Sequence, residues 1–207
     1  MKKIVLVMLM GLSSLFANGF GVDVGTKVSK INDKKILGIQ SLKELVGDGG
    51  TEVFIEGFYK AGWAQIGTRY TNLSEEKDNK LELTWKAYLN ENADTNFKVF
   101  INGGVGLGVQ GSRTSNISTN ITRSNYITAS NLNVYKVPSV ASIDSTTYWT
   151  VSIGLGASYN FTPNFNLYAG YEFERKSMDL DYKVSGKTEK VSLSGVDFNS
   201  HGARFGI

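Results

Sequence analysis

The stretch FKVFINGGVGLGVQ, residues 97–110, alternates between two kinds of position. One set is almost wholly apolar and comprises Phe97, Val99, Ile101, Gly103, Val105, Leu107 and Val109. The other set is polar or small, apart from one phenylalanine, and comprises Lys98, Phe100, Asn102, Gly104, Gly106, Gly108 and Gln110. Successive side chains of a β-strand point to opposite faces, so this period of two predicts a strand with one apolar face. Its length exceeds the roughly 9–11 residues with which a tilted strand crosses a bilayer.

The glycines of this stretch do not form a phosphate-binding loop. Their spacing departs from G-x-G-x-x-G, no Gly-Lys-Ser/Thr follows, and no helical pattern comes after them. Gly104, Gly106 and Gly108 share one strand face, and we expect them to be small so that charged side chains of other strands fit beside them. Gly103 lies on the apolar face, where the pattern offers no reason for a glycine.

Alternation of this kind recurs along the chain and predicts eight strands. They span approximately residues 20–29, 51–60, 63–72, 80–90, 97–111, 146–161, 165–176 and 197–207. Segment 51–60 is the least regular, because it places apolar residues on both faces. The connections alternate between long or moderate links and short turns. The links are about 30–50, 73–79, 112–145 and 177–196, and the turns are 61–62, 91–96 and 162–164. The pattern predicts an all-β fold, an eight-stranded antiparallel transmembrane β-barrel with four long extracellular loops and three short periplasmic turns.

Within the links, residues 41–47 (SLKELVG) predict a short helix, since Ser41 and Glu44 form a capping box before Gly47. The link 112–145 is rich in Ser, Thr and Asn. It is expected to be a solvated surface loop, part of which extends the flanking strands beyond the membrane, with contact to a host or surface ligand as its possible function.

In a membrane barrel the apolar faces meet lipid and the polar faces fill the interior. Aromatic residues fit this arrangement, because they cluster at both ends of the apolar faces, although Trp85 lies in the middle of a strand. The polar faces carry nearly balanced charges, which we expect to pair inside the barrel as a structural network. The predicted network comprises Asp23, Lys27, Glu56, Lys60, Arg69, Glu82, Lys86, Lys98, Glu172, Glu174 and Arg204.

Composition and the N-terminus narrow the class of protein further. Residues 1–17 have a basic start and a short apolar run, which predicts a signal peptide ahead of a single barrel domain at 18–207. Removing them takes away two lysines, so the net charge falls from +3 to about +1, which disfavours a nucleic-acid partner. The chain has no cysteine and one histidine, His201, so neither a cysteine-type zinc site nor a multi-histidine metal site is expected. No catalytic residue and no cofactor is predicted.

The stretch SIGLGASYNFTPNFNLYAGYEFE, residues 152–174, resembles a hairpin typical of small bacterial outer-membrane β-barrels, the opacity-type and OmpA/OmpX-type proteins. The shared features are Gly154, Gly156, Tyr159, Thr162, Pro163, Gly170, Tyr171 and Phe173. The resemblance implies a monomer in the bacterial outer membrane that contacts outer-membrane lipid, lipopolysaccharide and the barrel-assembly machinery. The family usually ends in an aromatic residue, and this sequence departs from that pattern with Ile207.

The functional hypothesis that follows is a non-enzymatic outer-membrane protein, with a role in envelope integrity or in adhesion through its loops. Three alternatives remain open: a small passive pore or gated channel, an outer-membrane lipid-modifying enzyme, and a soluble periplasmic lipid-binding barrel. An enzyme of this kind would need His201 as its base. Ser200 is its neighbour, but adjacent residues of a strand face opposite sides.

Overall fold

The computed structural model describes residues 19–32, 48–73, 78–91, 95–123, 133–162, 165–184 and 190–207. The predicted signal peptide at 1–17 and the predicted helix at 41–47 lie outside these residues. The described residues form ten β-strands: β1 Phe20–Ile31, β2 Gly49–Ala61, β3 Ala64–Leu73, β4 Asp78–Tyr88, β5 Phe97–Gln110, β6 Arg113–Arg123, β7 Asn133–Ile143, β8 Thr146–Thr162, β9 Phe165–Val184 and β10 Lys190–Gly206. No helix in the described ranges is long and apolar enough to cross a membrane.

Eight of the strands close into a ring, in the order β1-β2-β3-β4-β5-β8-β9-β10, with every neighbouring pair antiparallel. The closing pair is β10 with β1, where Arg204 lies opposite Lys27. Beyond that ladder, Val24 and Ile207 exchange two backbone hydrogen bonds of 3.0 Å. The predicted eight-stranded antiparallel barrel is therefore confirmed, and all eight predicted strands are present.

The connections separate into two ends of the barrel. At one end, β2 turns into β3 through Gly62 and Trp63, and Gly62 has a φ of +59°. Tight two-residue hairpins need positive φ, which glycine adopts without steric cost. We call this the short-turn end, and the opposite end, where the long links lie, the long-loop end.

Two of the predicted loops contain regular structure. The link 112–145 holds the hairpin β6–β7, and residues 141–143 of β7 pair with the end of β9. In the link 177–196, the strands β9 and β10 continue and pair with each other well beyond the predicted strand ends at 176 and 197. The period of two persists in SMDLDYKV, residues 177–184, so the strand does not stop where its inward charges stop.

The outer face of the ring is apolar and exposed. Leu107 is 70 % exposed and Ile153 is 60 % exposed. Aromatic side chains mark both ends of this face: Phe20, Tyr59, Trp63, Phe97, Tyr159, Phe161 and Phe165 near the short-turn end, and Tyr70, Trp149 and Phe173 toward the long-loop end. The segment 51–60, in which both faces contain apolar residues, also has an apolar outer face. Val53 and Ile55 point outward, and Phe54 is buried inside.

The alternation pattern did not explain why Trp85 lies in the middle of a strand or why Gly103 lies on the apolar face. The structure explains both residues together. Trp85 lies directly opposite Gly103 in the β4–β5 ladder. A Cβ atom on Gly103 would lie 2.8 Å from two indole carbons of Trp85 and 2.8 Å from the carbonyl oxygen of Ser152. Gly103 thus leaves the space that the Trp85 ring occupies, an aromatic cover over a strand glycine.

Above the ring, the inward faces of the extended strands build an apolar core. Its buried residues are Ile31, Ala141, Ile143, Tyr148, Met178, Leu180, Tyr182, Val184 and Phe198, and Val191, Leu193 and Val196 pack against them. We call this cluster the apolar cap. Burial raises the pKa of the Tyr182 phenol within it. The cap lies at the long-loop end, and the hairpin β6–β7 contributes Ala141 and Ile143 to it.

Candidate functional site

The centre of the barrel interior is organised around Glu172 on β9. Its carboxylate accepts hydrogen bonds from Lys27 Nζ at 3.0 Å, Arg69 Nη1 at 3.1 Å and Asn102 Nδ2 at 3.2 Å. Arg204 Nη1 lies 3.7 Å away. These donors come from β1, β3, β5 and β10, so one buried carboxylate ties together five strands of the ring.

Glu174, the next inward residue of β9, forms a second junction. It accepts hydrogen bonds from Lys27 Nζ at 2.5 Å, from Lys80 Nζ at 3.0 Å and from the Thr150 hydroxyl at 3.1 Å. Lys27 therefore bridges the carboxylates of Glu172 and Glu174. Such pairing offsets the high cost of removing charges from water.

A third junction joins the strands on the other side of the interior. Arg204 donates to Glu56 at 2.8 Å, and the Thr84 hydroxyl donates to the same carboxylate at 2.9 Å. Arg69 Nε lies 3.1 Å from Glu82, which links this group to the Glu172 junction. The Arg204 guanidinium also lies 4.5 Å from the centre of the Phe54 ring, a cation–π contact.

Toward the short-turn end, the interior is filled by aromatic rings. Lys86 Nζ pairs with Asp23 at 3.2 Å and lies 4.8 Å from the centre of the Tyr168 ring and 5.1 Å from that of Phe100. Phe58 and Tyr88 complete the surroundings of this ammonium, each at 6.0 Å. We call these four rings the aromatic layer.

Toward the long-loop end, the network finishes at Asp78. Its carboxylate accepts a short hydrogen bond from the Tyr148 hydroxyl and pairs with Lys176 at 3.2 Å. Tyr148 also belongs to the apolar cap. The interior thus passes from the aromatic layer, through the ion pairs, to the apolar cap.

The lumen glycines fulfil the predicted role only in part. Gly106 does make room for a charged side chain, because a Cβ atom there would lie 2.5 Å from Glu82 Cγ. At Gly108 and Gly156, the same space is occupied by the rings of Tyr148 and Phe100. At Gly104 the neighbouring side chains are instead those of Thr84 and Ser152, so the three predicted glycines accommodate three different kinds of neighbour.

Nine of the eleven residues expected in the network lie in the buried interior and take part in these ion pairs: Asp23, Lys27, Glu56, Arg69, Glu82, Lys86, Glu172, Glu174 and Arg204. Lys60 and Lys98 lie instead at the short-turn rim. Lys60 pairs with Glu91 at 2.9 Å across a partly exposed contact. Lys98 donates to the backbone carbonyl oxygens of Asn90 and Glu91.

Four buried charges were missing from the predicted set: Glu52, Asp78, Lys80 and Lys176. Each shares the alternation phase of a charge that was predicted on the same strand, as Lys176 does with Glu174. The signal was therefore present in the sequence. With these residues included, the interior network contains seven carboxylates and six cations in the described ranges, and Lys98, buried at the short-turn rim, is the seventh buried cation.

Among the described residues, Ser200 and His201 do not share a face of β10. Ser200 is 3 % exposed and faces inward, whereas His201 lies on the outer face with its ring centre 6.0 Å from that of Tyr171. In the part of the chain that the structure describes, no group of three His, Cys, Asp or Glu side chains is placed to hold a metal ion. The chemical character of the interior is that of a paired and densely filled core.

Comparison with known proteins gives matches in structure only. No protein-family model matches the chain, and no curated protein is significantly similar to it in sequence. Among solved structures, the chain is similar to neisserial surface protein A, with 18 % identity, a TM-score of 0.45, and coverage of 90 % of this chain and 96 % of that one. It is also similar to the N-terminal β-barrel domain of Pseudomonas aeruginosa OprF, with 11 % identity, a TM-score of 0.39, and coverage of 92 % and 98 %. The fold itself rests on the strand pairing described above.

Proposed function

We propose that this protein is a non-enzymatic, non-conducting barrel of the bacterial outer membrane, which anchors in the bilayer and presents the hairpin β6–β7 at the cell surface. The observation that supports this most directly is the inverted distribution of polarity. Apolar side chains cover the outside of the ring, and seven carboxylates and seven cations are buried inside it. A chain folded in water would place these groups the other way round.

The filled interior supports a structural role over a pore. A conducting barrel needs an open path lined by polar groups, whereas this interior is crossed by direct ion pairs, the aromatic layer and the apolar cap. An eight-stranded ring is only wide enough for its own side chains. A soluble lipid-binding barrel is disfavoured for a related reason, since it would need an apolar cavity inside and a polar surface outside.

The hairpin β6–β7 is the element best placed for contact with a partner. Only residues 141–143 of β7 pair with the ring strand β9. The ladder of the hairpin has eleven residue pairs, from Arg113–Ile143 to Arg123–Asn133, and eight of them, from Asn116–Val140 onward, extend past this pairing. Envelope stabilisation is therefore assigned to the ring, and surface interaction to the hairpin.

Two measurements test the proposal. The protein should fractionate with outer membranes, and its gel mobility should differ before and after boiling, because a closed barrel resists denaturation by detergent at room temperature. Release as a soluble periplasmic protein would refute the membrane placement. In planar bilayers, the purified protein should give no discrete conductance steps. Reproducible single-channel steps would instead support the pore alternative.

When protease is added to intact cells, it should cleave this protein first within residues 112–145. Protection of this segment on whole cells, combined with cleavage after the cells are opened, would reverse the proposed orientation.

A further inference from the structure

The acidic and basic residues on the outer face of the ring lie on one side of the barrel. The outward positions of β2, β3, β4, β5 and β8 carry none. On β1, β9 and β10, which are neighbours in the ring, the outward positions near the long-loop end include Lys30, Arg175, Asp197 and His201. We call these four residues the basic interface patch.

The strand register brings the three basic groups together. Lys30 lies directly opposite His201 in the β1–β10 ladder, and His201 lies opposite Phe173 in the β10–β9 ladder. Arg175 is two residues beyond Phe173 on the same face of β9. Neighbouring strands are about 4.8 Å apart, so the long side chains of Lys30 and Arg175 can reach a common group above His201.

The patch lies where the outer face of β9 changes character. Toward the short-turn end, this face presents Tyr171 and Phe173, and toward the long-loop end it presents Arg175 and Ser177. The His201 ring rests beside both aromatic rings, with centres 6.0 and 6.4 Å away. Under the proposed membrane placement, this is the level at which lipid headgroups meet the barrel.

Below the patch, the next outward side chain of β10 is small, and we call the track along it the furrow. Ala203 lies between Val28 and Tyr171 in the ladder. The furrow continues into a groove on the lower outer face, lined on its outward side by Val24, Thr26, Phe97, Ala157, Tyr159, Leu167, Ala169, Phe205 and Ile207. The basic groups of the patch suit the phosphate headgroup of an anionic lipid, and the apolar furrow and groove suit its acyl chains.

We propose that the basic interface patch binds the phosphate of an outer-leaflet lipid, with the acyl chains of that lipid lying along the furrow and groove. The inference rests on the proposed membrane placement and adds a ligand class and a site to it. Asp197, which pairs with Arg175, acts against phosphate binding by occupying the guanidinium. Asp48, exposed beside the end of β1, already has an interaction of its own.

The test measures lipid binding to the full chain, refolded in a mild non-ionic detergent, by native mass spectrometry. The probes are diphosphoryl lipid A and, as the zwitterionic reference, phosphatidylcholine. We expect preference for lipid A, and a loss of about fivefold in its affinity for Lys30→Gln or Arg175→Gln, since one basic residue near a lipid surface contributes that much. The matched control is Lys183→Gln, which removes one exposed cation from β9 beyond the patch and should leave the affinity unchanged.

Asp197→Asn provides a readout that structural damage does not imitate, because it releases Arg175 and should strengthen lipid A binding. Equal binding of both lipids, or equal losses for Lys30→Gln and Lys183→Gln, would overturn the inference. Unboiled and boiled gel mobility of each variant separates the two proposals. A folded, heat-modifiable barrel without headgroup preference refutes only the lipid site, whereas failure to fold in detergent refutes the membrane placement.

Discussion

The strand β9 passes through two interiors of opposite character. Its inward residues in the ring include Glu172, Glu174 and Lys176, which lie in the ion-pair network. Its next inward residues include Met178 and Leu180, which are buried in the apolar cap. The backbone conformation and the period of two are unchanged across this boundary, so secondary structure does not decide the character of a buried face.

What changes at the boundary is the outer face of the same strand. Beside Glu172 it is apolar, with Tyr171 and Phe173; it becomes polar at Arg175, between the last two network residues, and beside the cap it carries Ser177 and Asp179. The apolar side chains of the ring point outward, so burying them inside the barrel cannot stabilise it. The ring is held instead by hydrogen bonds and ion pairs in its interior. A polar outer face in water permits an ordinary apolar core, which the hydrophobic effect stabilises. The two regions should therefore respond differently to the same kind of substitution.

The largest expected effect comes from removing the shared carboxylate of the charged interior. Glu172→Ala removes a carboxylate shared by Lys27 and Arg69, so Glu174 and Glu82 remain beside these cations but one buried positive charge is no longer balanced. Loss of one member of a buried ion pair costs about 3–5 kcal/mol. The free energy of unfolding in urea should fall by that amount. Glu91→Ala is the control, because its pair with Lys60 is partly exposed and should cost less than about 1 kcal/mol. Equal losses for both variants would contradict the network.

In the apolar cap, Leu180→Ala should cost about 2–5 kcal/mol, as is usual for a cavity in a packed core, but the effect should be local. We expect faster proteolysis within residues 112–145 together with an unchanged heat-modifiable mobility of the barrel. Leu155→Ala, on the exposed outer face, opens no cavity and serves as the control. Loss of the folded gel band in Leu180→Ala would mean that the cap and the ring unfold as one unit.

On the outer face, Gly103→Ala should destabilise the ring by about 1–3 kcal/mol, because the new methyl group overlaps the Trp85 indole and the Ser152 carbonyl. Gly57→Ala is a close match, since an added Cβ there meets no atom within 4 Å. Its stability should be unchanged or slightly higher. The comparison uses the midpoint of thermal unfolding, and a larger decrease for Gly57→Ala would refute the role given to Trp85.

The smallest effect is expected for the exposed pair of Arg175 and Asp197 on the water side of the boundary. Asp197→Asn should change the free energy of unfolding by less than about 1 kcal/mol, and less again at high salt, because exposed pairs are screened. Asp23→Asn removes the same charge from the buried pair with Lys86 and should cost more. If the two variants cost the same, the burial of the inner pair would have no energetic consequence.

Most of the eight-stranded ring could be predicted from the alternation of apolar and polar residues alone. All eight ring strands, the arrangement of turns and links, and nine of the buried charges follow from reading every second residue. The same reading would have included Glu52, Lys80 and Lys176, which lie within predicted strands and share the phase of charges that were predicted, whereas Asp78 lies just before the predicted start of its strand. It missed the extension of β9 beyond Lys176, where the inward residues change from charged to apolar while the period of two continues.

The placement of Gly103 and of the lumen glycines needed three-dimensional information. Trp85 and Gly103 are eighteen positions apart in the chain, and only the β4–β5 register makes them neighbours. Phe100 covers Gly156 in the same way, across the β5–β8 pair. A periodic pattern states which face a residue occupies, but it does not state which side chain lies opposite.

The sequence by itself determined that this chain alternates with a period of two and that its charges lie on one face of eight strands. This information is local, since it follows from the geometry of a single extended strand. Only the tertiary structure decided which carboxylate meets which cation, that the hairpin β6–β7 docks on β9, and that the interior changes from ion pairs to an apolar core. Those outcomes depend on ring closure and on the medium outside each segment, and a single strand contains neither.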